Sequence, residues 1–438
     1  MEFTLPIVLS GIVFIATFAL IITEKVHRTV ISMFGALLLV ILGSIFNFYS
    51  PEQAFEAIDF NTIGLLIGMM IIVVILEETG FLEYLAIVSA KKTKGNPWLL
   101  VVMLGTVTTV LSFILDNVTT VIIIVPVTIL IARMTKISAT PLLMAEALLS
   151  DTGGVATLVG DPPNIMIGSA AGFSFNDFLT HIAPIVIVAW FVTLISLKIV
   201  FRKELAKKPD NIDDLMQWDA KKSIKDKAGV IKSLAVLALV VILFFVHAQL
   251  HIEPAFVALI GAVLILTLVN LTKDPQKIFE KLEWSVLGFF VSLFIMVGAL
   301  EHSGAIKQIT DIILNNSSDN QVMMAIMLLW IAAFASAVID NIPFTMAMIP
   351  VLLQMQQNSG TAGGNVNLLW WALAMGVGFG GNGSPIGSTA NVVVVSKSEE
   401  TDDPITFIKW FKSGTIATIA TCIVGTLAIL LFHKYLSK

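Results

Sequence analysis

The sequence predicts an all-α polytopic membrane protein made of two inverted repeats, with about ten transmembrane helices, two re-entrant hairpins and broken helices at the midplane. Three observations predict it: composition, the spacing of apolar runs, and an internal repeat. Of 438 residues, 57% are apolar and only 13% charged, with a mean hydropathy of +0.92. Soluble domains carry about 25% charged residues, so a water-soluble enzyme is not expected. The net charge of -5 gives no electrostatic footprint for nucleic acid. A single cysteine, Cys422, allows no internal disulfide or Cys-rich metal site, and its place in the last apolar run reads as core.

A bilayer-spanning helix needs about 20 mostly apolar residues. Such runs fall at 5–22, 29–48, 61–79, 97–133, 140–172 and 179–201. They resume at 230–249, 254–272, 284–300, 321–356, 367–395 and 412–432. The first four residues hold no basic side chain, so no cleaved signal peptide is expected. Between the two series, residues 202–227 carry eight Lys/Arg and six Asp/Glu. This stretch reads as a solvated cytoplasmic linker between a first repeat, 1–201, and a second, 228–438. Residues 80–96 read as an amphipathic interfacial helix around Phe81, Leu82, Leu85 and Ile87. Trp98, Trp284 and Trp410 stand at span starts and read as interfacial anchors.

Two long runs are interrupted by polar groups. Asp116-Asn117-Val118-Thr119-Thr120 breaks 97–133, and Asp340-Asn341-Ile342-Pro343 breaks 321–356. Each is read as a re-entrant hairpin with a polar tip; two full spans with buried, paired polar groups is the alternative. Ten spans plus two hairpins, with both termini outside, put 23 of the 26 Lys and Arg on the cytoplasmic side and leave Lys307, Lys434 and Lys438 outside. The expected location is the cell inner (plasma) membrane, multi-pass.

The halves repeat. A shift of 224 places Pro51 on Pro275, Glu77 on Glu301, Gly80 on Gly304, Ser112 on Ser336, Asp116 on Asp340, Asn117 on Asn341 and Pro126 on Pro350. A shift of 227 places Gly153-Gly154 on Gly380-Gly381, Thr157 on Ser384, Gly160 on Gly387 and Asn164 on Asn391. Five spans plus a hairpin is an odd number of crossings, so the halves have opposite orientation. Inverted repeats with interrupted helices are the plan of secondary transporters, whose sites lie at the midplane.

The second signature reads Gly160-Asp161-Pro162-Pro163-Asn164 in the first half and Gly387-Ser388-Thr389-Ala390-Asn391 in the second. Glycine and proline this dense break a membrane helix, and the freed backbone groups need partners. Asp161 followed by Pro162 reads as an N-cap with proline at the first helical position. Ser388 stands where the first half has Asp161, so the pseudo-symmetry breaks at one charge. Half-helix N-termini suit anions or polar oxygens, whereas unwound carbonyls with Asp, Asn, Ser and Thr oxygens suit Na⁺ or a proton. The first candidates for substrate or ion binding are therefore Asp116, Asn117, Asp340 and Asn341. Thr120, Thr157, Asp161, Asn164, Ser384, Ser388 and Asn391 follow, with Glu146 and Asp151 as proton-carrier candidates; the alternative for the Asn and Ser members is simple capping. No Lys or Arg lies within 97–132 or 321–396. A site of carboxylates without a fixed cation is expected to take a cation, a proton or a neutral polar solute.

These motifs, Asp116-Asn117-x-Thr-Thr with Pro126, Gly160-Asp161-Pro162-Pro163-Asn164, Asp340-Asn341-Ile342-Pro343-Phe344-Thr345 and Gly380-Gly381-Asn382-Gly383-Ser384, resemble the arsenite permease and P-protein family of the ion transporter superfamily. That superfamily also holds sodium–proton antiporters and citrate and dicarboxylate carriers. The likeness covers nearly the whole chain, and its nearest pattern is that of the melanosomal P protein and prokaryotic relatives. It implies an elevator-type carrier, usually a homodimer, with hairpin tips and broken helices in a moving domain. The expected function is a proton- or Na⁺-coupled secondary transporter in the lipid bilayer that carries a small solute, arsenite or antimonite being one fit. A Na⁺/H⁺ antiporter, a citrate-type carrier and a channel-like anion conductance are the alternatives. No cofactor, resident metal or catalytic residue is expected, since the six histidines show no metal-ligand spacing and His247 and His251 lie at an external helix end. Residues 202–227 hold no nucleotide-binding Gly-rich loop, which argues against ATP-driven transport within the chain; a soluble ATPase partner stays open.

Overall fold

Helix boundaries recur between the halves at the offsets read from sequence. In the computed structural model the first half runs α1 (Leu5–Ile22), α2 (Arg28–Ile45), α3 (Pro51–Glu56), α4 (Phe60–Glu78), α5 (Phe81–Lys92), α6 (Pro97–Ser112), α7 (Asn117–Thr135), α8 (Thr140–Gly154), α9 (Pro162–Ala171), α10 (Phe175–His181) and α11 (Ala183–Val200). A short α12 (Ile212–Gln217) lies in the linker. The second half runs α13 (Lys227–Val246), α14 (Pro254–Asn270), α15 (Gln276–Phe279), α16 (Trp284–Ser303), α17 (Ala305–Asn316), α18 (Gln321–Val338), α19 (Asn341–Ser359), α20 (Asn367–Gly381), α21 (Thr389–Ser398) and α22 (Phe407–Leu436). The starts of α4, α5, α6 and α7 map onto α16, α17, α18 and α19 at 224; those of α8 and α9 map onto α20 and α21 at 227. The structure describes residues 4–22, 26–207, 209, 212–270, 274–316, 320–359 and 366–438. Of the cations counted for topology, Lys25, Lys208 and Lys273 lie outside the described residues, as do linker residues 210–211.

Among the described residues, eight helices are long and apolar enough to cross a membrane, namely α2, α4, α7, α11, α13, α16, α18 and α22, with α1, α6 and α14 shorter but apolar. They pack in two sets. In one, here called the frame, α4 lies along α14, α2 along α16, α1 on α2 and α13 on α14. In the other, the hairpin bundle, α6 packs on α8, α18 on α20, α11 on α22 and α7 on α21. Each set draws equivalent helices from both halves, as a two-fold pseudo-symmetry requires. Helices α9 and α19 belong to the bundle and pack on each other, and the sets touch where α9 meets α4 and where α19 meets α16. Exposed side chains such as Ile15, Phe34 and Ile199 make the outer surface apolar, as a lipid-facing surface is.

Both interrupted segments are helix–turn–helix hairpins. Their tip asparagines, Asn117 and Asn341, are 2% and 4% exposed. Asn341 meets the break between α8 and α9 at Asp161, and Asn117 meets Asp151 on α8, which also binds Ser388 of the break between α20 and α21. A hairpin tip buried against a broken helix is what the re-entrant reading expects. Asp116 caps α7 by accepting from the Thr119 N–H at 2.9 Å and from its hydroxyl at 2.6 Å. The break 155–161 follows from space: a Cβ on Gly154 would stand 2.7 Å from the Gly160 carbonyl oxygen.

Three expectations change. The linker is not simply solvated: Leu215 is fully buried, Lys91 donates to the Trp218 carbonyl at 2.8 Å, and the Lys225 N–H donates to the Thr79 carbonyl at 2.9 Å. Gly80 carries the crossing, with φ of 76° and the Ser223 carbonyl where a Cβ would project. Helix α5 forms as expected, but Leu82, Ala86, Ile87 and Ala90 are buried rather than interfacial. Trp410 is fully buried and donates its indole N–H to the Asn382 carbonyl at 3.0 Å, so it braces the second break, while Trp284 is exposed as an anchor should be. Cys422 is buried in the core, as read from sequence.

Candidate functional site

Four half-helices begin at the centre of the hairpin bundle: α7 and α19 from the hairpins, α9 and α21 from the breaks. At each break the residue before the first helical position is Asp161 or Ser388, and neither side chain caps its own helix. Both turn instead across the pseudo-symmetry axis. Asp161 accepts from the Asn341 amide of the second hairpin at 3.1 and 3.4 Å. Ser388 donates to Asp151 Oδ1 at 3.1 Å, and the same oxygen accepts from the Asn117 amide of the first hairpin at 2.8 Å. Each tip asparagine therefore faces a buried carboxylate from α8 or the break that follows it. Asp151 Oδ2 has no hydrogen-bond partner, and neither has Asn391 Oδ1. Open acceptor oxygens at full burial cost free energy unless a positive species meets them.

Further candidates stitch the breaks together, in the same way in both halves. Thr157 donates to the Phe113 carbonyl at 2.7 Å, and Ser384 to the Ala337 carbonyl at 2.5 Å. Asn164 donates to the carbonyls of Gly154, Val155 and Thr157; Asn391 donates to those of Gly381 and Ser384. These contacts satisfy carbonyls that the unwound helix releases. Thr120 donates to the Asp116 carbonyl at 2.9 Å within α7. Glu146 lies apart from the cluster: it is fully buried, accepts from Thr128, and leaves Oε2 without a partner.

Asp116 and Asp340 sit at the tips as expected, but their carboxylates face the ends of their own half-helices. Asp340 Oδ1 accepts from the Ile342 N–H at 3.2 Å. Its Oδ2 takes a salt bridge from Arg28 at 2.8 Å and the Thr389 hydroxyl at 2.8 Å. The expectation that the acids at membrane depth lack basic partners therefore fails at Asp340. Arg28 opens α2, close in sequence to the cytoplasmic loop to which its position had assigned it. The available signal was the repeat itself: neutral Pro254 opens α14 where Arg28 opens α2, which marks the charge as asymmetric. Glu283 also escaped the sequence reading. It precedes α16, does not cap it, and lies within electrostatic reach of both Arg28 and Asp116.

His247 serves structure: its Nε2 accepts from the Phe175 N–H at 3.3 Å, and Nδ1 lies 3.0 Å from the Ile252 carbonyl. It lines a cavity of about 350 Å³ with Asn61, Ser169, His251 and Glu253. Among the described residues no group of three or more His, Cys, Asp or Glu could hold a metal ion.

The chain is similar to known membrane proteins. The citrate transporter family (CitMHS) matches residues 18–376. A "46 kDa membrane protein" of Mycobacterium leprae is 38% identical over 432 residues, covering 98% of this chain and 99% of that protein. "Uncharacterized transporter Rv2684" of Mycobacterium tuberculosis is 38% identical over 431 residues, with 98% of each chain covered. The human P protein is 31% identical across 95% of this chain, which spans 59% of that longer protein. Among solved structures, the Alcanivorax borkumensis YdaH transporter superposes with a TM-score of 0.61 at 11% identity, over 94% of this chain and 99% of that one. This last likeness is one of fold.

Proposed function

The chain belongs to the citrate transporter family of the ion transporter superfamily, and from that premise we propose that it is a secondary active carrier driven by a proton or Na⁺. One observation carries the reading: Asp161 and Ser388 forgo capping to reach across the repeats, so that each hairpin-tip asparagine faces a buried carboxylate, Asp161 for Asn341 and Asp151 for Asn117. A carboxylate pair in a bundle of half-helix ends has the chemistry of a coupling-cation site. The ends differ. Helix α9 opens with Pro162 and Pro163, which offer no N–H, beside Asp161. Helix α21 opens with Thr389 and Ala390, whose N–H groups have no intrahelical acceptor. The Asp161 side suits a cation, and the α21 side suits the oxygens of a solute.

The hairpin bundle is the part that moves against the frame, in the elevator manner, and the chain works as a homodimer in the plasma membrane with the linker cytoplasmic. The solute is small and oxygen-rich; arsenite or antimonite, neutral trihydroxides near neutral pH, need no fixed cation. Plain Na⁺/H⁺ exchange through Asp151 and Asp161 is the alternative. Citrate-type carriage is a second reading, favoured by the family description; its anionic charge would meet only the α21 end, since Arg28 is occupied by Asp340.

Reconstituted protein should show flux of one solute from a panel of arsenite, antimonite, citrate and Na⁺ itself. That flux should rise with an imposed pH or Na⁺ gradient and be lost in Asp161→Asn. Flux that ignores both gradients would sink the coupled-carrier reading.

A further inference from the structure

Among the described residues, one ion pair joins the frame to the hairpin bundle. Arg28, on α2 of the frame, donates through Nη1 to Asp340 Oδ2 at 2.8 Å and to the Thr389 hydroxyl at 2.6 Å. Thr389 in turn donates to the same Asp340 oxygen at 2.8 Å, which closes a triangle between α2, the second hairpin tip and the second break. The guanidinium lies over the Phe289 ring, 5.2 Å from its centroid. The side chains are 26% and 11% exposed, so the pair is largely withdrawn from water. The other described ion pairs, Lys281 with Glu78, Lys397 with Glu400 and Lys409 with Asp403, each stay within one set.

On the opposite side of the frame, the contacts to the bundle are neutral. Asn61 reaches Ser169 at 3.4 Å, and Asn176 donates to the Phe245 carbonyl at 2.7 Å. The repeat explains the one-sidedness. Asp340 has a counterpart in Asp116, but Pro254 opens α14 where Arg28 opens α2.

We propose that Arg28 is a tethered counter-ion that stands in for the mobile coupling cation at Asp340, so that the second hairpin leaves α2 only when a mobile cation has replaced the guanidinium. The inference rests on the cation-coupled reading above and names the device that enforces coupling. Separating the pair without replacement leaves a carboxylate unpaired among buried groups, which is strongly unfavourable. A proton or Na⁺ on Asp340 removes that cost. The guanidinium has its own destination: Glu283 belongs to the frame, stays with α2, and is not engaged as a cap. Asp116, Asp151 and Asp161 stand within electrostatic reach of this cluster and disfavour any further negative charge. An empty carrier is thus held where it stands, while a loaded one is released. This is the condition for coupling rather than leak.

The test measures the frame-to-bundle distance directly and needs no knowledge of the solute. Cys422 is the only cysteine, so Cys422→Ala gives a clean background for spin labels at exposed Phe256 on α14 and Phe334 on α18. Distances are recorded for the full chain in lipid, with and without Na⁺, at acid and alkaline pH. Wild type at alkaline pH without Na⁺ should hold one distance, and Na⁺ or acid should bring in a second. Arg28→Gln should populate the second distance roughly tenfold more without added cation, the scale of losing about 1.4 kcal/mol of pairing. Arg28→Lys should behave nearly as wild type, Thr389→Val should lie between, and Glu283→Gln should deplete the second distance. If monodisperse Arg28→Gln gives the wild-type distribution in every condition, the tethered counter-ion is overturned. If Arg28→Gln redistributes while wild type itself ignores both Na⁺ and pH, Arg28 holds the hairpin to α2 but no mobile cation replaces it, and the tethered counter-ion is overturned together with the cation-coupled reading beneath it; a wild type that responds to cation while Arg28→Gln matches it overturns the counter-ion alone.

Discussion

Asp151 of the first repeat holds Ser388 of the second at 3.1 Å, and together they occupy the place that Asp161 fills alone on the other side of the pseudo-symmetry axis. The repeat makes the exchange legible. Position 388 corresponds to 161 and has lost its carboxylate; position 151 corresponds to 378, a glycine, and has gained one. The charge has moved from the second break to the first repeat's broken helix, yet the tip asparagine Asn117 still finds a carboxylate, at 2.8 Å. What is kept is one acid per hairpin tip, not the residue that supplies it.

That compensation predicts a rescue. Asp151→Ala should cut coupled flux roughly ten- to hundredfold, the worth of a lost charge-assisted hydrogen bond of about 1.5–3 kcal/mol. Adding Ser388→Asp restores the first-half pattern and should recover most of that flux in reconstituted vesicles. Ser388→Asp alone places two acids together and should impair transport. A double variant no better than Asp151→Ala would end the compensation argument.

At Asp116 the carboxylate faces the Thr119 N–H and hydroxyl, so stability and coupling separate. Asparagine caps about as well as aspartate, whereas alanine costs about 1 kcal/mol. Asp116→Asn should therefore unfold at the wild-type temperature and Asp116→Ala about a degree lower. Flux measured on Asp116→Asn then reports the charge alone.

Much of this was readable in advance, and the reasons are physical. Apolar runs give spans because a bilayer leaves few alternatives, and the starts of α4 to α9 recur at the offsets that the glycine, proline and acid positions set. Asp161-Pro162 correctly marked where α9 begins, since proline at the first helical position needs no N–H partner. What the side chain does there was not readable: a residue at a cap position caps or reaches away, and only the fold brings Asn341 within 3.1 Å. Arg28 was missed for a related reason. A cation at the start of a span reads as topology, and its guanidinium is long enough to enter the bundle. Trp410 likewise reads as an anchor until the second break folds against it.

In the loop before α22, Asp403 binds Lys409, Ser138 and Thr140. The Lys409 hydrogen bond, more than any other contact, holds its carboxyl below the usual carboxylate range. A depressed folded value means the stabilisation is present above the unfolded value, near pH 4, and is lost as pH falls through the lower folded value. The pair is nearly half exposed, so its worth is at most about 1 kcal/mol. Asp403→Asn should lower thermal stability slightly at neutral pH, and the gap should close in strong acid. A gap that widens in acid would contradict this assignment.

Gly160 and Gly387 close the two breaks, and the demand on them is one of space. Neither has a positive φ. A Cβ on Gly160 would stand 2.5 Å from the carbonyl oxygens of both Gly154 and Ser112. On Gly387 it would meet the Gly381 oxygen at 2.5 Å and the Ser336 oxygen at 2.9 Å. These are backbone atoms of the same broken helix and of the adjacent hairpin, so no rotamer change relieves them. Moving them would shift the tip asparagine against its carboxylate. Gly160→Ala and Gly387→Ala should each cost about 3 kcal/mol or more, the upper range for overpacking, and should lower the yield of monodisperse protein on size exclusion. Gly11, with nothing within 4 Å of a built Cβ, is the control. Gly11→Ala lies mid-helix and should be neutral or add about 0.5–1 kcal/mol. Equal tolerance at all three positions would mean that the breaks are looser than these distances, and would weaken the case that the carboxylates are held to the tips by fixed geometry.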